Sequence, residues 1–97
     1  MPIVMSHKIR DKLLGKHNVT PEEVEQCFAN RNGEYILDSR EEHASDSPTY
    51  WFIAETNDGR KLKVVFVHEH GNIYIRTAFE PTPATVENYL KHGGNAI

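Results

Sequence analysis

The chain has 97 residues, of which 11 are lysine or arginine and 14 are aspartate or glutamate, so its formal net charge is −3. This length predicts a single domain, residues 1–97, with one modest core. The acidic balance argues against a protein held on nucleic acid by its overall charge, although a local basic patch remains compatible with it. The single cysteine, Cys27, cannot form a disulfide within these residues. No apolar segment approaches membrane-spanning length, so the sequence predicts a cytoplasmic protein without a membrane partner.

A first helix is predicted close to the amino terminus. Ser6 suits its N-cap, and the helix should end near His17, where Asn18 can adopt the left-handed conformation that closes a helix. The preceding "PIVM", residues 2–5, fits either a short edge strand or an ordered tail.

The start of a second helix is signalled more clearly by "VTPEEV". Thr20 is the expected N-cap, Pro21 occupies the first helical position, and Glu23 completes a capping box. This helix should bury Val24, Cys27 and Phe28 and end at "NRNG", residues 30–33.

Three or four strands are predicted next. Segments 49–56, 61–67 and 72–79 are rich in β-branched and aromatic residues, and 34–38 is a short fourth strand. The Asp-Gly of "NDGR" and the Gly-Asn of "HGN" supply the positive φ angles of hairpin turns. Hairpins make neighbouring strands antiparallel, so the sheet should be an antiparallel meander.

The first two strands are separated by "SREEHASDSP", residues 39–48, which has no apolar residue larger than alanine and predicts an exposed, mobile loop. A solvated loop and a functional one both fit its charged residues, Arg40, Glu41, Glu42 and His43. After the last strand, Thr82 and Pro83 start a helix that Gly93 ends. The sequence therefore predicts an α+β domain with two N-terminal helices, a four-stranded antiparallel meander and one C-terminal helix, all helices on one side of the sheet.

Two histidines, His68 and His70, flank a glutamate in "VVFVHEHGN". Residues two apart on a strand point the same way and could share a metal. However, His70 belongs to turn sequence and no third ligand is near, so we interpret the pair as the end of a strand and expect no bound metal.

Two groups of cations are candidates for a phosphate-binding surface. Lys8, Lys12 and Lys16 recur every four residues, which suits either a solvated helix face or a surface for phosphate or an acidic partner. Arg60, Lys61 and Lys63 follow a turn; with Tyr74 and Arg76 on the next strand, they have the composition of an RNA-contacting sheet, and equally that of a half-exposed sheet face.

The order of elements, together with "KHNVTPEEVEQCF", "GRKLKVVFV" and "IYIRTAFEPTPATVENY", resembles the BrnT-like toxins of the RelE/ParE superfamily. These are small bacterial proteins of type II toxin–antitoxin pairs that cleave RNA. The resemblance covers roughly Ser6 to Tyr89 and implies a RelE/BrnT-like fold, an antitoxin protein as partner, RNA or the ribosome as target, and no cofactor.

The resemblance also implies where the site lies. Lys16 and His17 match the family's Lys-His pair, and the two arginines of its fourth strand fall on Tyr74 and Phe79, with Arg76 between them. The leading hypothesis is therefore a weak, metal-independent ribonuclease with His17, Tyr74 and Arg76 as catalytic residues and Lys12, Lys16 and Lys63 as RNA-binding residues. Either His17 or Tyr74 would move the proton. The rivals are a non-catalytic binding module on the same fold and a metal-binding protein that uses His68 and His70.

Overall fold

The computed structural model describes residues 2–38 and 48–92. Its elements, in chain order, are β1 (Ile3–Val4), α1 (His7–Lys12), a π-helical turn (Leu13–His17), α2 (Pro21–Asn30), β2 (Ile36–Leu37), β3 (Thr49–Glu55), β4 (Lys61–Glu69), β5 (Asn72–Phe79) and α3 (Pro83–His92). The predictions for Arg40, Glu41, Glu42, His43 and Gly93 lie outside the described residues.

The sheet has five strands in the order β1-β5-β4-β3-β2. Strands β2 to β5 form the predicted antiparallel meander, with β3 paired to β4 from Thr49↔Val67 to Glu55↔Lys61. The prediction of a four-stranded, wholly antiparallel sheet is wrong, because β1 pairs with β5 in parallel, Ile3 beside Ile73. Strands that pair in parallel are not joined by a hairpin turn, so the sequence contains no turn motif from which this pairing could be predicted.

The helices lie on both faces of the sheet, so the prediction of helices on one side is also wrong. Phe28 of α2 packs on Phe52, with ring centroids 4.8 Å apart, whereas Tyr89 of α3 packs on Trp51 at 5.5 Å. Trp51 and Phe52 are neighbours in β3 and point to opposite faces. Because residues 51–54 are all buried, β3 needs cover on both sides.

The larger part of the core lies between the sheet and the first two helices, the side called here the α2 face. Four aromatic rings meet there with centroids between 4.8 and 6.4 Å apart: Phe28, Tyr35, Phe52 and Phe66. Leu13, Val24 and Cys27 are fully buried beside them. Full burial of a large apolar side chain stabilises the fold by about 1.5–3 kcal/mol.

The predicted N-caps of the first two helices, Ser6 and Thr20, are confirmed. The Ser6 hydroxyl accepts a hydrogen bond from the Ile9 amide at 3.2 Å, and Thr20 and Glu23 form the reciprocal capping box. The first helix differs from expectation in its last turn, which is π-helical, before Asn18 closes it at φ 53°. The Asn18 and Val19 amides both donate to the Leu13 carbonyl, Val19 at 3.0 Å. Lys16 and His17 are therefore presented from a widened turn.

Candidate functional site

Arg60, just before β4, fixes the end of the π-helical turn. Its guanidinium donates to the carbonyl oxygens of Asn18 at 2.9 Å and His17 at 3.1 Å, and to the carboxylates of Glu23 at 3.0 Å and Glu80 at 2.8 Å. Carbonyls at a helix end have no partner within the helix, and a cation is favoured there. Sequence reasoning grouped Arg60 with the sheet lysines; its contacts instead hold the backbone beside His17.

The contacts of Arg60 with Glu23, Glu80 and the carbonyl oxygens of His17 and Asn18 are called here the Arg60 clamp. Within it, Arg60 and Glu23 each stabilise the charged form of the other. Burial raises the pKa of Glu23, but the hydrogen bond from the Thr20 amide and the adjacent Arg60 outweigh it and hold that pKa below its ordinary value. Burial lowers the pKa of Arg60, whereas its bonds to Glu80 and Glu23 raise it by more. Both groups are therefore charged near neutral pH, as the clamp requires.

The side chains around Phe79, the last residue of β5, form the Phe79 cluster: His17, Trp51, Lys63 and Phe79. The half-buried His17 ring lies 5.6 Å from the Phe79 ring. Lys63 pairs with Phe79 across the strands, and its Nζ lies 5.9 Å from the Phe79 ring centroid and 4.5 Å from that of Trp51. The structure thus brings His17 and Lys63 to the same phenylalanine, one of the two positions where the resemblance implies an arginine.

Lys12 and Lys16 do not join that cluster through any contact among the described residues. Both are exposed, as is Lys8, on the segment that leads into His17. Since this helix also carries Arg10 and only one acidic residue, Asp11, it is locally basic in a chain that is acidic overall. The predicted basic stripe therefore exists as an accessible surface.

Tyr74 and Arg76 lie further along the sheet. Tyr74 pairs with Val67, four residues along β4 from Lys63, a separation of about 13 Å at the rise of a strand. The Tyr74 hydroxyl accepts a hydrogen bond from the Asn72 side chain at 3.3 Å. The structure therefore does not bring Tyr74 to His17, and the predicted catalytic residues do not form one compact group.

Arg76 occupies a β-bulge. Val65 pairs with Thr77 and the next residue, Phe66, pairs with Ile75, so Arg76 is the extra residue and has no cross-strand partner. Its placement beside Tyr74 rested on strict alternation, which this bulge interrupts. Arg76 is exposed near the middle of β5. Bulges often redirect a side chain next to a functional site.

The two histidines of "HEH" do not share a strand. His70 has a φ of 53° and Gly71 of 79°, as in the tight turn between β4 and β5, while His68 remains exposed within β4. Strand alternation therefore does not aim them at a common ligand. In the part of the chain that the structure describes, no group of three histidine, cysteine or acidic side chains could hold a metal ion.

A cleft of about 610 Å³ opens between α3 and the sheet, and sequence reasoning missed it. The sheet contributes Ile36, Trp51 and Lys63 to it, and α3 contributes Thr85, Asn88 and His92. The last three follow helical spacing, so they mark a polar stripe on the side of α3 that borders the cleft. The spacing of these polar residues is present in the sequence, beside the apolar positions Val86, Tyr89 and Leu90 of the same helix.

No family model matches the sequence, and no curated protein matches it. Across residues 2–38 and 48–92, no helix combines the length and apolarity needed to cross a membrane. In its described part, the chain is a small α+β domain with a five-stranded mixed sheet, three α-helices and one π-helical turn.

Proposed function

We propose that this chain is a BrnT/RelE-like toxin-family protein that acts on RNA as a weak, metal-independent ribonuclease. One observation carries the proposal: the His17 imidazole lies 5.6 Å from the Phe79 ring centroid, and the Lys63 ammonium lies 5.9 Å from it. Cleavage at a 2′-hydroxyl needs a proton carrier and a cation near one phosphate. The exposed lysines beside His17 supply a path for the RNA backbone.

In this mechanism His17 takes the proton of the 2′-hydroxyl, whose oxygen bonds to the phosphorus while the bond to the 5′-oxygen breaks. The departing 5′-oxygen receives a proton from water, which leaves a 2′,3′-cyclic phosphate and a 5′-hydroxyl. Lys63 and Lys16 offset the negative charge that develops on the phosphate, and Lys12 and Arg76 hold neighbouring phosphates. Tyr74, which lies apart from His17, contacts the RNA rather than the scissile bond. Arg60 positions His17 through the backbone, so it supports the site without touching substrate.

A second candidate is a non-catalytic binding module on the same fold, and Phe79 favours it. An apolar ring lies within 6 Å of both His17 and Lys63, at a position where the resemblance implies a cation. Loss of one transition-state donor typically costs about 10²–10³-fold in rate. A protein with this substitution would keep its basic surface and its partner while losing most of its chemistry.

The decisive experiment restores the cation. Phe79→Arg should raise cleavage of single-stranded RNA, measured with a chelator present, by about 10²-fold over the wild type. Phe79→Met is the matched control, since it keeps volume without charge, and should leave cleavage unchanged.

Two further results separate the candidates. His17→Ala in the Phe79→Arg background should remove the gained activity if His17 moves the proton. If Phe79→Arg binds RNA but cleaves it no faster than Phe79→Met, the ribonuclease proposal is wrong and the binding module stands.

A further inference from the structure

The Lys63 ammonium lies over an aromatic ring of the neighbouring strand, on the side of the sheet that α3 covers, called here the α3 face. Lys63 and Trp51 are diagonal neighbours, because Trp51 pairs with Val65, two residues along β4 from Lys63. The Lys63 Nζ lies 4.5 Å from the Trp51 ring centroid. The face of an indole attracts a cation at this distance, and more strongly where water is partly excluded, as around the half-buried Lys63. Trp51 is therefore one of the groups that hold this ammonium.

The Trp51 ring is itself fixed by α3. Trp51 is only 7% exposed, and the ring centroid of Tyr89 lies 5.5 Å from its own. Tyr89 is fully buried and donates its hydroxyl to the Glu34 carbonyl oxygen at 2.9 Å. Burial raises the pKa of Tyr89, so the hydroxyl stays protonated and able to donate. Trp51 therefore has little freedom to turn away from Lys63.

We infer that Trp51 is a positioning residue of the proposed RNA site, which presents the Lys63 ammonium beside Phe79 while Tyr89 of α3 fixes the Trp51 ring. A lysine side chain that samples many rotamers must be ordered when it binds a phosphate, at a cost in entropy. Lys63 is already held with its Nζ 5.9 Å from the Phe79 ring centroid, and a held group avoids part of that cost. The inference rests on the proposed function, because it gives Lys63 the phosphate-binding role assigned there.

The first test needs no RNA. An aromatic ring shifts the NMR signals of protons above its face upfield, so the ε-methylene protons of Lys63 should resonate upfield of their position in the unfolded chain. Trp51→Leu should remove most of this shift, and Trp51→Phe, which keeps a smaller ring, should retain part of it. Phe28→Leu is the matched control, because it removes a buried ring contact with Phe52 on the α2 face and should leave the Lys63 shift unchanged.

The second test measures the affinity of the whole protein for a short single-stranded RNA. Trp51→Leu should weaken binding by up to about tenfold. In a Lys63→Met background the same change should cost less than about twofold, because Trp51 acts through the ammonium that is then missing, whereas a general loss of structure would weaken binding in both backgrounds. Trp51→Phe should recover part of the affinity, and it carries the same comparison if Trp51→Leu does not fold. Tyr89→Leu should weaken binding less than Trp51→Leu, and Phe28→Leu by less than about twofold.

The outcomes separate this inference from the proposed function. A Lys63 shift that survives Trp51→Leu overturns the inference, and so does an equal loss of RNA affinity with and without the Lys63 ammonium. RNA that is bound and cleaved as well by Trp51→Leu as by the wild type rejects the role of Trp51 alone. A protein that binds RNA through Lys63 and Trp51 but never cleaves it, even as Phe79→Arg, upholds the inference and rejects the ribonuclease. A wild type that binds no RNA rejects the proposed function and, with it, the role of Trp51 at an RNA site, even where the Lys63 shift depends on Trp51.

Discussion

The two faces of the sheet are built differently. The α2 face is closed by rings and aliphatic side chains, and Phe52 and Phe66 are at most 1% exposed there. The α3 face contains the Lys63 ammonium over Trp51 and an open cleft beside it. A close-packed apolar face stabilises the fold, whereas a face with a charged group and unfilled space can exchange partners. We therefore assign the larger share of the folding stability to the α2 face, whereas the α3 face carries Lys63 of the proposed site.

The largest expected effect tests that division directly. Phe66→Ala removes a ring that contacts four other aromatic rings on the α2 face and should lower the free energy of unfolding by about 3–5 kcal/mol. Lys63→Met on the α3 face should change it by less than about 1 kcal/mol. Urea denaturation followed by circular dichroism measures both. Equal losses of unfolding free energy would show that the two faces contribute equally to stability.

A smaller loss of unfolding free energy is expected when the Arg60 clamp is removed. Arg60→Ala should cost about 1–3 kcal/mol, because two helix-end carbonyls and two carboxylates lose a charged donor. Arg60→Lys should recover little of it, since an ammonium cannot span these acceptors. Lys61→Ala is the control: its pair with Glu55, at 3.6 Å and largely exposed, should contribute less than about 1 kcal/mol. If the two alanine variants behave alike, Arg60 is an ordinary surface charge.

The clamp also predicts a pH dependence. The pKa of Glu23 in the folded protein lies below its ordinary value of 4.5. The unfolded chain therefore takes up the proton first, and the stabilisation is complete above that value and is lost as the pH falls through the folded pKa. Glu23→Gln should be less stable than wild type at neutral pH, and the difference should shrink under acid conditions. A difference that stays constant would place the effect in the capping box alone.

Features determined by residues close together in the chain could be predicted from the sequence, whereas those determined by distant segments could not. The capping box of Thr20 and Glu23 and the closing role of Asn18 lie within a few residues and were predicted correctly. The parallel strand at Ile3 and the α3 cover over Trp51 depend on contacts between distant segments, which a periodicity does not encode. The Arg76 bulge is similar, because a single extra residue in a strand leaves the pattern of apolar residues almost unchanged. The sequence also did not predict that His17 and Lys63 both lie near Phe79, because the three residues belong to different elements that only the tertiary fold brings together.

Cys27, which is fully buried on the α2 face, reports how often that face opens in the native protein. Burial, with the nearby Glu23 charge, raises the pKa of its thiol to about 12, and its sulfur lies 3.7 Å from the Ala54 carbonyl oxygen. A protonated and buried thiol does not react with disulfide reagents until the protein opens. Labelling of the native protein should therefore be about 10³-fold or more slower than that of the unfolded chain. Phe66→Ala should accelerate it in proportion to the lost stability, and Lys63→Met should not. Fast labelling of the wild type would mean that the α2 face opens locally around Cys27. The α2 face would then not be the more stable side of the sheet.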